Sequence, residues 1–280
     1  MKIPELVPLP LPLRCLRPWE FPGKLGLMER LFSRTLARHG VAWIETNAGI
    51  PWELDLATPP HRWIVYGYYE GYAFWRWLLA NRDRIRTVVD SGANIGQTTL
   101  YFSQLLTQPR IFAYEPGADA RAWLTRCVEA NRLAQVSISS HGLAAAPGTA
   151  FLRSVGDATT HGSWNRLDAI EGDAIPLVTL DDEMARLGLD RIDLWKLDME
   201  GAEPGALAGA ARALAAGKIG AVHAEIMGDS GPGVGETLRS HGYVPYVARR
   251  NRLVPAAGVL SGEGDNAVFI HPSSGLLPPA

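Results

Sequence analysis

The sequence predicts an α/β protein built on a doubly wound, parallel sheet covered on both faces. Three observations predict it. From Thr87 onward, short β-branched runs alternate with helix-length segments. The first of these runs, Thr87-Val88-Val89-Asp90, passes through a tight glycine turn (Gly92, Gly96) into a segment that reads as a helix. Charged residues gather at the carboxyl ends of predicted strands, the side on which open α/β sheets bind ligands.

Composition sets the bounds. A chain of 280 residues with 47% apolar content buries an ample core. A net charge of -2 and a pI near 6.4 give no basic excess of the kind that binds a nucleic-acid backbone. Cys15 and Cys127 are too few for a disulfide framework and lack metal-ligand spacing, so a reducing cytoplasm is the expected setting. Prolines at positions 4, 8, 10 and 12 break any signal-peptide helix, and no small-residue cleavage site follows. No apolar run reaches the roughly 18 residues of a membrane span.

Taken in order, residues 1–24 carry six prolines and read as an extended arm, a candidate for contacts between two copies of the chain. Leu25 to His39, with Leu27, Leu31 and Leu36 among Arg30, Arg34 and Arg38, reads as an amphipathic helix stopped by Gly40. Val41 to Leu56 reads as a hairpin around Asn47-Ala48-Gly49. Between Trp63 and Trp77 lie eight aromatic residues, which read as core or as a stacking wall for a ligand. Within them Glu70 is a carboxylate placed to receive an ammonium group. Residues 1–80 thus form an arm and cap, and residues 81–280 the ligand-binding domain.

Beyond the glycine turn the expected strands are Ile111 to Glu115, Val136 to Ser140, Asp193 to Met199, Ala221 to Ile226, Tyr243 to Ala248 and Ala267 to His271. With the first strand they make seven. Helices are expected over Ala118 to Arg132, Leu180 to Leu187, Pro204 to Ala216 and Val234 to His241. Ala150 to Val155 reads as a short extra strand, and Asp157 to Gly172 as a polar loop.

The glycine turn is not a dinucleotide fingerprint. Counting from Gly92, Asn94 and Gln97 stand where G-x-G-x-x-G requires glycines. What stands here is Asp90-x-Gly92-x-Asn94-x-Gly96, with Asp90 placed to reach a ligand's amine or to organise the turn. Glu115, in Tyr-Glu-Pro 25 positions later, closes the second strand where an acid can accept both hydroxyls of a ribose, and Pro116 stiffens the turn after it. The alternating Lys196, Asp198 and Glu200 share one face if the strand keeps its pleat. A structural ion pair capping the sheet is the alternative. Glu225 lies near the end of the fifth strand, with His223 deeper and read as a satisfied core histidine. His161 lies in the polar loop. No zinc-type cluster is present, so no metal is expected, although Asp198, Glu200 and Glu225 could together face a divalent ion.

Val-Asp-Ser-Gly-Ala-Asn-Ile-Gly, Tyr-Glu-Pro and Lys-Leu-Asp-Met-Glu-Gly-Ala-Glu, in that order over about residues 65–271, resemble the FkbM family of S-adenosylmethionine-dependent methyltransferases. The resemblance implies a Rossmann-like class I methyltransferase fold, with six parallel strands and an antiparallel seventh. It implies methylation of a hydroxyl on a sugar, polyketide or other secondary metabolite. Gly92, Ala93, Asn94 and Gly96 would cradle the methionine part with Asp90 beside them, and Glu115 would take the ribose. Asp198, Lys196 and Glu200 would line the crevice where donor and acceptor meet, and Glu70 matches an acid the family often carries before its first strand. Ser91 departs from the family, which more often has a hydrophobic residue there. S-adenosylmethionine, with a ribose and a carboxylate but no phosphate, satisfies both constraints read from the residues. The alternatives are methylation of an amine, or a cofactor-binding scaffold without catalysis. Amine-methylating enzymes often carry an Asn/Asp-Pro-Pro-aromatic run where this chain has Asp198-Met199-Glu200-Gly201.

Overall fold

The computed structural model describes residues 5–46, 49–67, 73–154, 165–168, 172–226, 231–249, 252–256 and 265–278. Glu70 and His161 lie outside them.

The N-terminal arm is docked. Leu6 bridges Trp43 in parallel, and the Val7 N–H donates to the Trp43 carbonyl at 2.8 Å. Helix α1 (Leu11–Leu16) then forms where extended chain was expected. Pro12 is tolerated because a first-turn residue has no intrahelical N–H bond to lose. Helix α2 (Lys24–Ala37) comes next, but its buried stripe is Met28, Phe32 and Leu36. Leu27 and Leu31 instead face solvent. Only one of the two neighbouring apolar rows can face the core, and it is the row with the bulkier side chains.

The expected hairpin is β1 (Val41–Glu45) paired antiparallel with β2 (Pro51–Asp55). Helices α3 (Pro59–Val65) and α4 (Ala73–Ala80) lead into the sheet. Tyr66, Phe74 and Trp77 are buried, which supports the core reading of the aromatic run, whereas Tyr68, Tyr69 and Tyr72 lie outside the described residues. The core of residues 1–80 is continuous with that of the main sheet's helices: Ile44, Trp52 and Leu54 share a cluster with Ile95, Tyr101 and Cys127.

Strand β3 (Thr87–Ser91), helix α5 (Gln97–Leu105), β4 (Arg110–Tyr114), α6 (Ala118–Ala130) and β5 (Val136–Ser139) alternate as expected. The chain then leaves the main sheet through β6 (Gly142–Leu143), β7 (Gly148–Ser154), β8 (Asn165–Asp168) and β9 (Asp173–Val178), which form a separate sheet ordered β6-β9-β7-β8. β7 is the expected extra strand. β8 falls inside the expected polar loop, most of which lies outside the described residues. Helix α7 (Leu180–Leu187), β10 (Ile192–Leu197), α8 (Glu203–Ala208), α9 (Ala211–Ala215), β11 (Ile219–Ile226), α10 (Gly231–Ser240), β12 (Val244–Arg249), β13 (Arg252–Pro255) and β14 (Asp265–Ile270) complete the chain.

The single helix expected over Pro204 to Ala216 is broken between α8 and α9. Gly209 lies at the break, and a Cβ there would collide with the Ala144 carbonyl oxygen, so glycine is what lets the backbone before β7 cross at this point. Among the described residues the main sheet is ordered β13-β12-β14-β11-β10-β3-β4-β5, eight strands instead of seven, because β13 pairs antiparallel with β12 at the edge. β14 runs antiparallel to β11 and β12, as the resemblance implies for the last strand.

Alternation along the strands divides the core. Val89, Trp195, Val222 and Phe269 pack with residues of α7 to α10, while Val88, Leu194, Ala221 and Val268 pack with Phe74, Trp77 and Leu78 of α4 and Phe102 of α5. Among the described residues no helix is long and apolar enough to cross a membrane.

Candidate active site

Strand order reverses between β3 and β10, and the site forms at the carboxyl ends of the strands around that point. Register places Asp90, Lys196 and His223 side by side on β3, β10 and β11, one pleat beyond Val88, Leu194 and Ala221 on the same face. Polar groups so deep in a sheet require partners, and most have them. Lys196 Nζ donates to the Gly92 carbonyl at 3.0 Å and lies 3.1 Å from Asp198 and 3.8 Å from Asp90. Burial works against the ammonium charge, but Asp198 and Asp90 outweigh it and hold Lys196 above its usual range. Burial likewise opposes the Asp198 charge, and the Lys196 ammonium keeps that carboxyl below the usual carboxylate range.

Asp90 does not reach the ligand space. Its carboxylate is fully buried and accepts from the Thr98 and Thr99 hydroxyls at 2.7 and 2.6 Å, which draws it beneath the turn and ties β3 to the first turn of α5. Of the two roles open to it in the sequence, organising the turn is the one it fills. Gly96 is also withdrawn, packed against Leu124 of α6. The Gly92 and Ala93 N–H groups both donate to the Tyr114 carbonyl, at 3.0 and 3.1 Å. What these two residues offer a ligand is therefore space, and not the free N–H donors their position suggests. Gly92 has φ +73°, and a Cβ there would strike the Asp198 carbonyl oxygen, so turn and β10 terminus are pressed together.

Glu115 stands just beyond β4 and locks the turn from the other side. Its two oxygens accept from the Asn94 and Gly117 N–H groups, each at 2.7 Å. Burial pushes its carboxyl up against the pull of those bonds. Each oxygen keeps a further lone pair, so acceptance from a ligand's hydroxyls remains open. Ser91, the departure from the family pattern, accepts the Trp195 indole N–H at 2.7 Å, which accounts for a hydroxyl under the turn.

Above the Asp90–Lys196–His223 row opens a cavity of about 470 Å³, within the range of small-molecule sites. Gly92, Ala93, Asn94, Glu115, Pro116, Lys196, Asp198, Glu200 and Glu225 all line it, with Phe74 and Trp75 on the cap side. The pleat does not carry the acids as far as expected: β10 ends at Leu197, and Glu200 has φ +55°. Glu200 reaches the cavity through the turn instead of along the strand.

Two residues escape a reading of the sequence alone. Glu203 is buried and accepts from the Met199 and Gly201 N–H groups at 2.7 and 3.2 Å, closing the turn after β10; its place before Pro204 at a helix start is the available signal. His223 is not a satisfied core histidine. Its ring stacks on Phe74 at 3.9 Å and 8°, it lines the cavity, and Nδ1 has no hydrogen-bond partner. Burial and the Lys196 charge push its pKa down to about 4, so it stands there as neutral imidazole. Among the described residues no group of three His, Cys, Asp or Glu is placed to hold a metal ion.

The donor set suits a ligand with an amino-acid end and a ribose. Buried Asn94 Oδ1 in the cavity wall lacks a partner, the glycine turn leaves room for close approach, and Glu115 offers lone pairs to hydroxyls. Sheet order, antiparallel last strand and cavity at the reversal are those of the Rossmann-like class I methyltransferase fold. The sequence matches the methyltransferase FkbM domain over residues 90–245, and the chain belongs to that family, whose cofactor is S-adenosylmethionine. No curated protein matches the chain. Similar solved structures include a precorrin-6y C5,15-methyltransferase from Geobacter metallireducens, with TM-score 0.43, 11% identity, and coverage of 71% of this chain and 86% of that one. A METTL16 methyltransferase domain has TM-score 0.45 and 15% identity, covering 86% of this chain and 77% of its own. A SAM-dependent O-methyltransferase from Thermotoga maritima has TM-score 0.38 and 12% identity, covering 71% of this chain and 64% of its own.

Proposed function

We propose that the protein transfers a methyl group to a hydroxyl oxygen of a small molecule or glycan. The observation that carries this reading is Asp198: a carboxylate 40% exposed at the cavity floor, backed by a buried lysine at 3.1 Å and adjoining the glycine turn. When bound, S-adenosylmethionine supplies an electrophilic methyl group on a sulfonium. Gly92 and Ala93 would give its amino-acid end room, Asn94 Oδ1 would accept from its ammonium group, and Glu115, beside Pro116, would accept from its ribose hydroxyls. Asp198 would orient the acceptor hydroxyl and take its proton as the oxygen gains the methyl group and the sulfonium leaves as a neutral thioether. Lys196 holds Asp198 in place. Glu200 and Glu225 line the same floor and complete the acceptor side. Residues 1–80 act as the cap over this site, with Phe74 and Trp75 forming its wall.

Cell extract incubated with the protein and isotope-labelled S-adenosylmethionine, then analysed by mass spectrometry, tests the reading. It expects a labelled methyl ether whose formation is lost in Asp198→Asn while cofactor binding survives. A labelled methylamine as the product overturns oxygen transfer, and undiminished turnover in Asp198→Asn removes that residue from the reaction.

A further inference from the structure

Asp198 and Glu225 stand at matching heights on neighbouring parallel strands, each one position beyond the paired Leu197 and Ala224, and both line the cavity. Two carboxylates held side by side repel each other when both are ionised, because each only accepts, and one proton between them turns that repulsion into a hydrogen bond. Lys196 identifies its owner: the ammonium forms its ion pair with Asp198 at 3.1 Å and acts on Glu225 only at longer range, where Asp198, Glu200 and Glu203 add like charge. His223, two residues back on β11, is neutral, Asn266 opposes Glu225 on β14, and Asp90 is engaged beneath the turn by Thr98 and Thr99.

We propose that Asp198 and Glu225 work as one carboxylate–carboxylic acid unit, in which Glu225 keeps the proton and donates it to Asp198, fixing the Asp198 carboxylate toward the acceptor. Glu225 is a positioning residue, and Asp198 is the group that meets the hydroxyl. The role rests on the reading of the cavity as a methyl-transfer site; the shared proton does not. Burial and the charge of Asp198 push the Glu225 pKa up to about 8, so the unit is intact at neutral pH. Above that pH Glu225 ionises, and repulsion between two carboxylates replaces the hydrogen bond.

Infrared spectroscopy of the full chain, monitored from about pH 5 to 10, reads the proton directly. The expected result is the carbonyl band of a neutral carboxylic acid at neutral pH, lost with a midpoint near 8 in the wild type and missing from Glu225→Gln. In Asp198→Asn the midpoint moves to lower pH, because the like charge is gone while Glu225 remains. A wild type without the band at neutral pH, or a Glu225→Gln variant that keeps it, overturns the proposal. Should Glu225→Gln fail to fold, the wild-type midpoint and its movement in Asp198→Asn decide. Titration with S-adenosylmethionine distinguishes the two failures: a wild type that shows the band but binds no cofactor overturns the methyl-transfer role and leaves the shared proton standing.

Discussion

Gly92 and Asp198 stand back to back: any side chain on Gly92 would run into the Asp198 carbonyl oxygen, so the turn proposed to seat the cofactor and the strand end that carries the candidate base fix each other's position. The obstacle is backbone and not the end of a flexible side chain, and the +73° φ adds strain for any residue but glycine. Gly92→Ala is expected to cost about 2 to 4 kcal/mol in thermal unfolding and to abolish the heat of S-adenosylmethionine binding. Normal cofactor affinity in a folded Gly92→Ala would contradict the packing described.

Gly209→Ala is the matching control. Its Cβ would meet the Ala144 carbonyl, again backbone, but Gly209 does not line the cavity. A loss of stability of similar size, about 2 to 4 kcal/mol, is expected together with unchanged cofactor affinity of the folded protein.

Lys196→Met removes the cation that compensates Asp198 and lies near buried Asp90. Stranding buried carboxylates costs about 3 to 5 kcal/mol; Asp198 is 40% exposed, so about 2 to 4 kcal/mol is expected here. The sign with pH comes from Asp198. Its folded carboxyl is held low, so the pairing stabilises the fold above the ordinary carboxyl range and is lost as pH falls through it. Urea unfolding should show the gap between wild type and variant closing on acidification.

His223 carries a second pH signature. Its folded pKa near 4 lies below the ordinary 6.5, so the folded state binds fewer protons than the unfolded chain between those values. Stability is therefore lost as pH falls from 6.5 toward 4, by at most about 1.4 kcal/mol per pH unit for this group. His223→Gln should flatten that part of the curve relative to wild type. Identical slopes would mean that His223 protonates in the fold as freely as in the unfolded chain.

The main sheet is legible in the sequence, and the site in outline. Strand and helix runs from Thr87 to Ile270 can be read because a strand buried on both faces is a run of β-branched and large apolar residues, and because glycines mark the turns. Less legible is whatever depends on which of two options packs better. Met28 and Phe32 compete with Leu27 and Leu31 for the inner face of α2, and only tertiary contact decides between them. Gly209 gives no local sign that a distant carbonyl will lie against it. At the site, Gly92, Glu115, Lys196 and Asp198, singled out by residue type, line one cavity, but Asp90, equally well placed by its spacing, turns its carboxylate inward to two threonines. His223 reads as core in the sequence because an aromatic partner 149 positions earlier, Phe74, cannot be foreseen from strand periodicity.

Calorimetric titration of the full chain and of Gly92→Ala with S-adenosylmethionine, with NADH as the comparison ligand, tests the central claim most directly. One saturable site for S-adenosylmethionine in the wild type, none in Gly92→Ala, and no binding of NADH is the predicted result. Binding of NADH in place of S-adenosylmethionine would contradict the assignment of the glycine turn to a methyl donor.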